Sequence, residues 1–110
     1  MFNFKNLDLA GVRRLIEEQG LEKFYQAYLD WLKVEDEKIR GFLFFTEKTI
    51  AKQINELKKT VNRNLPLWGI PLAVKDVIMV EGERCTAGSK ILENYLAPYD
   101  ATVIRKIKQA

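Results

Sequence analysis

The sequence feature that most constrains the fold is an apolar run that contains a single lysine. Residues 67–76 read Leu-Trp-Gly-Ile-Pro-Leu-Ala-Val-Lys-Asp, which is typical of a strand until Lys75, and Asp76 follows at once. A lysine in such a run opposes burial unless its charge is solvated, paired or removed. A fold predicted for this chain must therefore account for Lys75.

In the first half of the chain, the spacing of apolar residues predicts three helices and one short strand. Asp8 is placed to cap a helix that ends at Gly20. Residues 21–32 carry apolar side chains at helical spacing, and this broad aromatic stripe is typical of a core. Residues 42–45, Phe-Leu-Phe-Phe, predict a short buried strand, and Thr46 is expected to cap the third helix. The apolar face of that helix consists of Ile50, Ile54, Leu57 and Val61.

In the second half, residues 70–80 predict the strand that contains Lys75, and residues 85–89, Cys-Thr-Ala-Gly-Ser, predict a loop of small side chains. Ser89 is expected to cap a short helical turn that continues to Tyr95.

Asp100 is expected to cap a last helix, which reaches Ala110 without a Gly, Asn or Pro stop signal. Strands that alternate with helices imply parallel pairing, and the strand that should follow this helix is missing. We therefore expect the sequence to be truncated.

Composition excludes several kinds of protein. At 47% hydrophobic and 30% charged residues, the 110 residues fit one small globular domain or a piece of a larger one. There is no histidine, so a Ser-His-Asp triad, a Cys-His dyad and a His-based metal site are excluded within these residues. The 18 basic and 15 acidic residues are interspersed, which disfavours a nucleic-acid surface.

Location is predicted from the same sequence. No apolar run is long enough to span a membrane, and the first residues lack the apolar core of a signal peptide. The single cysteine, Cys85, cannot form an internal disulfide, which indicates a reducing cytoplasm.

Three side chains are candidates for chemistry. Lys75 is either an edge-strand lysine that discourages aggregation or a desolvated general base, and the residues alone favour the first. Ser89 beside Lys90 could form a Ser–Lys pair, but a capping serine is the commoner use. Cys85 has no histidine to activate it and is interpreted as a packed thiol.

Several blocks resemble the amidase signature family. They are residues 69–76 (GIPLAVKD), Glu81-Gly82, residues 85–95 (CTAGSKILENY) and residues 98–103 (PYDATV), and nearly all of this specificity lies within residues 65–105. The chain departs from the family at Val77, where Asn is common, and at Cys85, where Thr is frequent.

The resemblance implies an α/β fold, an α/β/α sandwich around a mixed sheet, of which these residues supply the N-terminal helices and the first strands. Residues 1–110 would be the N-terminal part of a single amidase domain. Within it, residues 1–62 would form a helical lead-in with one short strand, and residues 63–110 the lysine strand, the small-residue loop and the following helix.

The resemblance also implies a Ser–cis-Ser–Lys mechanism in which Lys75 is the catalytic base, and this reverses the preference reached from the residues alone. The two family serines belong to a Gly/Ser-rich segment that is absent from residues 1–110, and Ser89 matches a different position, so the chain alone is expected to be inactive.

Within the family, the blocks are most similar to the branch that hydrolyses glutamine for tRNA-dependent amidotransferases. That implies other subunits as partners, ATP and Mg on a partner subunit, and tRNA contact only through the complex. The alternatives are a stand-alone amidase for another small amide, or a non-catalytic helical module that binds a partner through Phe24, Tyr25, Tyr28 and Trp31.

Overall fold

The computed structural model describes residues 2–60 and 62–110, and the chain forms two compact units, Met1–Arg63 and Asn64–Ala110. The first unit contains the helices α1 (Leu9–Gln19), α2 (Leu21–Ile39) and α3 (Glu47–Lys59). The second contains a 3-10 turn (Lys90–Leu92) and the helix α4 (Thr102–Gln109). None of the helices in the described part of the chain is long and apolar enough to cross a membrane.

The two ends of α1 are those that the sequence predicts. The Asp8 carboxylate accepts a hydrogen bond of 2.7 Å from the Gly11 N–H, which satisfies one of the unpaired donors of the first turn. Gly20 ends the helix at a φ of 82°, a left-handed value that glycine adopts without strain.

We expect Asp8→Ala to lower the free energy of unfolding by about 1 kcal/mol, the usual cost of losing a cap. Chemical denaturation measures this change. Glu17→Ala is the matched control, because it removes an exposed carboxylate from the same helix without removing a cap. Equal midpoints for the two variants would contradict the capping role of Asp8.

Aromatic side chains form the core of the first unit, as the stripe on α2 predicts. Phe24 is fully buried, and its ring centroid lies 5.8 Å from that of Phe4, 5.2 Å from that of Tyr25 and 5.8 Å from that of Tyr28. Burial raises the pKa of Tyr25, and the nearby Tyr28 adds to the shift, so the Tyr25 hydroxyl stays protonated. Leu21, Phe24 and Tyr25 of the stripe are therefore core.

Helices α2 and α3 run in opposite directions and are joined by two ion pairs, one near each end of α3. Glu22 on α2 pairs with Lys58 on α3, and Lys33 on α2 pairs with Glu47 on α3. Thr46 is the N-cap residue of α3 as predicted, but its side chain makes no capping hydrogen bond. Val61, predicted on the apolar face of this helix, lies outside the described residues.

The short strand predicted at residues 42–45 is wrong. The loop that contains it is held by Asp36 instead, whose carboxylate accepts hydrogen bonds from the N–H groups of Gly41 at 2.6 Å and Phe42 at 3.2 Å. The rings of Phe42 and Phe45 stack on each other at 5.2 Å. A strand needs a neighbouring strand to pair with. An apolar run that has no such neighbour satisfies its backbone N–H and C=O groups through local hydrogen bonds.

The lysine strand predicted at residues 70–80 is also wrong in the described structure. Residues 71–75 are irregular, and a turn closes where the Ile78 N–H donates to the Lys75 carbonyl at 2.9 Å. Leu72 and Val74 are 56% and 38% exposed, so no packed layer covers them among the described residues. The first strands of a sandwich are therefore not formed within residues 2–60 and 62–110.

Two predicted caps in the second unit also differ. Ser89 precedes the 3-10 turn, but its side chain does not cap it, and the turn ends at Leu92 rather than Tyr95. Ala101, not Asp100, is the N-cap residue of α4. The Asp100 carboxylate instead binds the Glu81 N–H at 2.8 Å and the Lys108 ammonium at 2.7 Å. The Asp100 carboxylate therefore binds these tertiary partners and not the free N–H groups at the start of α4.

Candidate functional site

Lys75 lies on the surface of the second unit, at the point where the irregular residues 71–75 enter the turn that ends at Ile78. Its side chain is exposed, and among the described residues its ammonium group makes no hydrogen bond or ion pair. This exposure agrees with the interpretation that the residues alone favour, a lysine in contact with solvent, although the strand expected around it is not formed in the described part of the chain. Its role as a catalytic base stays a prediction.

The residue after Lys75 is the most heavily bonded in this region. One oxygen of the Asp76 carboxylate accepts a hydrogen bond from the Thr86 N–H at 2.9 Å, and the other accepts one from the Thr86 hydroxyl. The Asp76 main-chain carbonyl accepts the Ala87 N–H at 3.0 Å and lies 3.5 Å from the Cys85 Sγ. Asp76 thus joins the lysine segment to the small-residue loop through both its side chain and its main chain.

These contacts affect the charge of Asp76. The hydrogen bond from the Thr86 hydroxyl, followed by that from the Thr86 N–H, holds the pKa of the Asp76 carboxyl below its ordinary value. The Gly88 N–H and the positive charge of Arg84 act in the same direction. Hydrogen bonds to an ionised carboxylate are stronger than those between neutral groups, so Asp76 is a firm anchor at neutral pH.

The loop that Asp76 binds is itself held in place. The Cys85 N–H donates to the Tyr95 carbonyl at 3.1 Å, beside an antiparallel bridge between Arg84 and Leu96. Cys85 is buried, as expected for a packed thiol. Ala87 and Gly88 have φ values of 49° and 71°, and such left-handed backbone is strained for alanine unless contacts fix it.

Asp100 fixes the other end of the second unit. It connects the turn at Glu81 to Lys108 on α4, and the Ala101 N–H donates to the Met79 carbonyl at 2.9 Å. The hydrogen bond from Lys108 is the main reason that the pKa of Asp100 lies below its ordinary value. The segment that follows Lys75 is thus anchored at Asp76 and again at Met79–Glu81.

The other candidates for chemistry are not assembled into a site. The Ser89 N–H donates to the Thr86 carbonyl at 2.8 Å, and within residues 2–60 and 62–110 no hydrogen bond joins Ser89 to Lys90. No group of three His, Cys, Asp or Glu side chains in the described part of the chain could hold a metal ion.

Sequence reasoning missed Thr86. A threonine in a small-residue loop, ten positions after an aspartate, carries no periodic signal. The only available signal is that Asp and Thr side chains readily bind nearby backbone in loops.

The low pKa of Asp76 predicts how stability depends on pH. Its contribution is fully present above the pKa of an unfolded aspartate, about 3.9, and is lost as the pH falls through the lower folded-state pKa. A carboxyl-carbon NMR titration measures the pKa directly. We expect Thr86→Val to raise the pKa of Asp76 and Glu81→Gln to leave it unchanged. An Asp76 pKa at the unfolded value in the unmodified chain would contradict the observed bonding.

Comparison with known proteins gives a consistent set of matches. The sequence profile of the family described as Amidase matches residues 23–110. The chain is 38% identical over 96 residues to the A subunit of the glutamyl-tRNA(Gln) amidotransferase from Clostridium novyi (strain NT), covering 84% of this chain and 20% of the relative.

Two further relatives carry the same name. The chain is 38% identical over 105 residues to the protein from Tropheryma whipplei (strain Twist), covering 93% of this chain and 20% of the relative. It is 40% identical over 88 residues to the protein from Renibacterium salmoninarum, covering 77% of this chain and 17% of the relative. The chain therefore spans about a fifth of the length of the curated relatives that it matches. No solved structure matches it.

Proposed function

Because the chain belongs to the amidase family, we propose that its 110 residues are the N-terminal part of the glutamine-hydrolysing subunit of a tRNA-dependent amidotransferase. The observation that carries this proposal is the match to three curated amidotransferase subunits over most of the chain, including the Lys75 segment. The complete enzyme would work with other subunits in a reducing cytoplasm.

In the proposed reaction, Lys75 is the general base. Its neutral amine takes a proton from a bridging serine, which takes one from the nucleophilic serine as that oxygen attacks the side-chain amide carbon of glutamine. The protonated Lys75 returns this proton through the bridging serine to the amide nitrogen, which leaves as ammonia, and water then hydrolyses the acyl-enzyme to glutamate and the free serine. Residues 1–110 contain one serine, Ser89, which matches a different position of the family, so we assign both reacting serines to polypeptide outside these residues.

The released ammonia would be used by a partner subunit. With ATP and Mg, that partner would amidate misacylated Glu-tRNA(Gln) or Asp-tRNA(Asn), so tRNA would contact this chain only through the complex. The mixture of positive and negative charges on the chain agrees with this division, because the chain then needs no basic stripe.

The α/β/α sandwich is part of the same proposal. Leu72 and Val74 lie exposed on backbone that is not paired among the described residues. Exposed apolar side chains on unpaired backbone are suited to pairing with a further strand. We assign that strand to the rest of the amidase domain.

The helical interaction module has less support. Its proposed surface includes Phe24 and Tyr25, and both are buried in the first unit. Side chains that form the core of their own unit are not available to a partner. A stand-alone amidase for another small amide remains as an outcome of the experiment below.

A chimera tests the proposal. Residues 1–110 replace the matching fifth of the Clostridium novyi relative, which is produced with its partner subunits, and ammonia release from glutamine and amidation of Glu-tRNA(Gln) are measured. We expect both activities, with the relative that lacks this fifth as the negative control. A folded chimera that hydrolyses only other small amides would favour the stand-alone amidase, and one that releases no ammonia would contradict the family chemistry.

The 110-residue chain alone should release no ammonia from glutamine above background. The reason is chemical, since Lys75 has no serine pair to act on and the chain has no histidine to substitute. A coupled ammonia assay checks this. Ammonia release by the unmodified chain that is lost in the Lys75→Ala variant would contradict this prediction.

A further inference from the structure

Asp76 and Thr86 form a polar cluster that the proposed reaction does not use, and both carboxylate oxygens of Asp76 take part in it. Asp76 follows Lys75 directly, so contacts that restrain Asp76 also restrain the backbone from which the lysine side chain projects. An exposed lysine with four single bonds in its side chain gains no order from its own contacts, and its position depends on that backbone.

We propose that Asp76 is a positioning residue, which holds Lys75 in place by clamping the lysine segment to Thr86 and the loop around it. This inference rests on the proposed function, because positioning matters only if Lys75 acts as a base.

The first argument is the number and direction of the contacts. Both carboxylate oxygens of Asp76 bind Thr86, and its carbonyl accepts the Ala87 N–H at 3.0 Å. Bonds from two different parts of one residue restrict its rotation as well as its position. On the other side of the peptide, the Lys75 carbonyl accepts the Ile78 N–H at 2.9 Å, so the backbone is held both before and after Asp76.

The second argument is that the loop is itself fixed. The Thr86 hydroxyl also accepts the Gly88 N–H at 3.2 Å, and the Thr86 carbonyl accepts the Ser89 N–H at 2.8 Å. Cys85 is buried and bonded through its N–H to Tyr95. A clamp can position a segment only if its other half does not move, and these contacts meet that condition.

The third argument concerns energy and catalysis. The Asp76 carboxylate is kept ionised at neutral pH, so its bonds to Thr86 are charge-assisted. A catalytic group displaced by about 1 Å can lose about 10²-fold in rate. Loss of the clamp should therefore lower kcat and leave glutamine binding largely unchanged.

The first experiment uses the 110-residue chain labelled with ¹⁵N. The unmodified chain is compared with Asp76→Ala, Thr86→Val, Thr86→Ser and the control Glu81→Gln, which removes an exposed carboxylate from the same unit. We expect the backbone order parameter of Lys75 to fall from roughly 0.85 to below about 0.6 in Asp76→Ala, and to fall in Thr86→Val. Thr86→Ser, which keeps the hydroxyl, and Glu81→Gln should retain the order of the unmodified chain.

An ordered Lys75 backbone in folded Asp76→Ala and Thr86→Val chains would overturn the proposal. If Asp76→Ala unfolds the second unit, the pair Thr86→Val and Thr86→Ser decides it, because Thr86→Val replaces the hydroxyl by a methyl group whereas Thr86→Ser keeps the hydroxyl and loses the methyl group. Dispersed amide signals from residues 64–110 establish which variants are folded.

The second experiment places the same substitutions in the chimera. We expect Asp76→Ala and Thr86→Val to lower kcat for glutamine by about 10–100-fold with little change in KM. Thr86→Ser should keep the kcat of the unmodified chimera. A raised KM with unchanged kcat would overturn the positioning role. A chimera that is inactive with the unmodified sequence would refute the proposed function, while the order parameters of the isolated chain would still decide whether the clamp exists.

Discussion

Lys75→Met is expected to reduce glutamine turnover of the chimera by about 10²–10⁴-fold, the usual cost of losing a general base. Methionine keeps the length of the side chain and removes the amine. Because Lys75 is exposed in the described structure, the substitution should not disturb folding. Steady-state ammonia release, with circular dichroism to confirm folding, measures the effect.

Two matched variants separate the base from the charge. Lys75→Arg keeps the positive charge but cannot supply a neutral base at neutral pH, so it should be as inactive as Lys75→Met. Lys90→Met removes an exposed amine from the same unit and should retain turnover. Near-normal activity in Lys75→Met or Lys75→Arg would show that the catalytic assignment is wrong.

Phe24→Ala is expected to lower the free energy of unfolding of the first unit by about 3–5 kcal/mol. The ring is fully buried among Phe4, Tyr25 and Tyr28, so its removal leaves a cavity at the centre of the aromatic core. A small unit has only about 5–15 kcal/mol of stability in total, and such a loss would bring it close to unfolding.

Urea denaturation followed by aromatic fluorescence measures the change. Leu43→Ala is the control, since Leu43 is 72% exposed and an exposed truncation usually costs less than about 0.5 kcal/mol. Similar midpoints for the two variants would mean that Phe24 does not organise the core.

The helices could be predicted from the sequence because their signals are local. Asp8 and Gly20 fix the ends of α1 through contacts within a few residues, and the stripe on α2 is visible in its spacing alone. The burial of Phe24 follows from the same periodicity. Such features depend little on the rest of the protein.

The strands could not be predicted in this way, because a strand is completed by a neighbour that can lie far away in sequence. Residues 42–45 and 70–80 have strand-like composition, yet neither range forms a strand in the described part of the chain. An apolar run shows what a segment could bury, and only its neighbours determine whether it is buried.

The contacts around Lys75 were missed for a different reason. Asp76 and Thr86 are ten residues apart, and Asp100 meets Glu81 across nineteen, so neither pair has a periodic signature. Asp100 lies one residue before Ala101, the N-cap residue of α4, and two partners outside the first turn of that helix bind its carboxylate. Polar anchors of this kind follow from the fold and are seen only once the loops are placed.

The most direct test of the central claim, that Lys75 activates a serine, is covalent labelling of the chimera with a fluorophosphonate. An activated serine oxygen forms a bond to phosphorus, fluoride leaves, and the serine proton passes to the base. We predict rapid labelling of the unmodified chimera and of Lys90→Met, and labelling at least about 10²-fold slower in Lys75→Met. Equal labelling rates with and without the Lys75 amine would contradict the account.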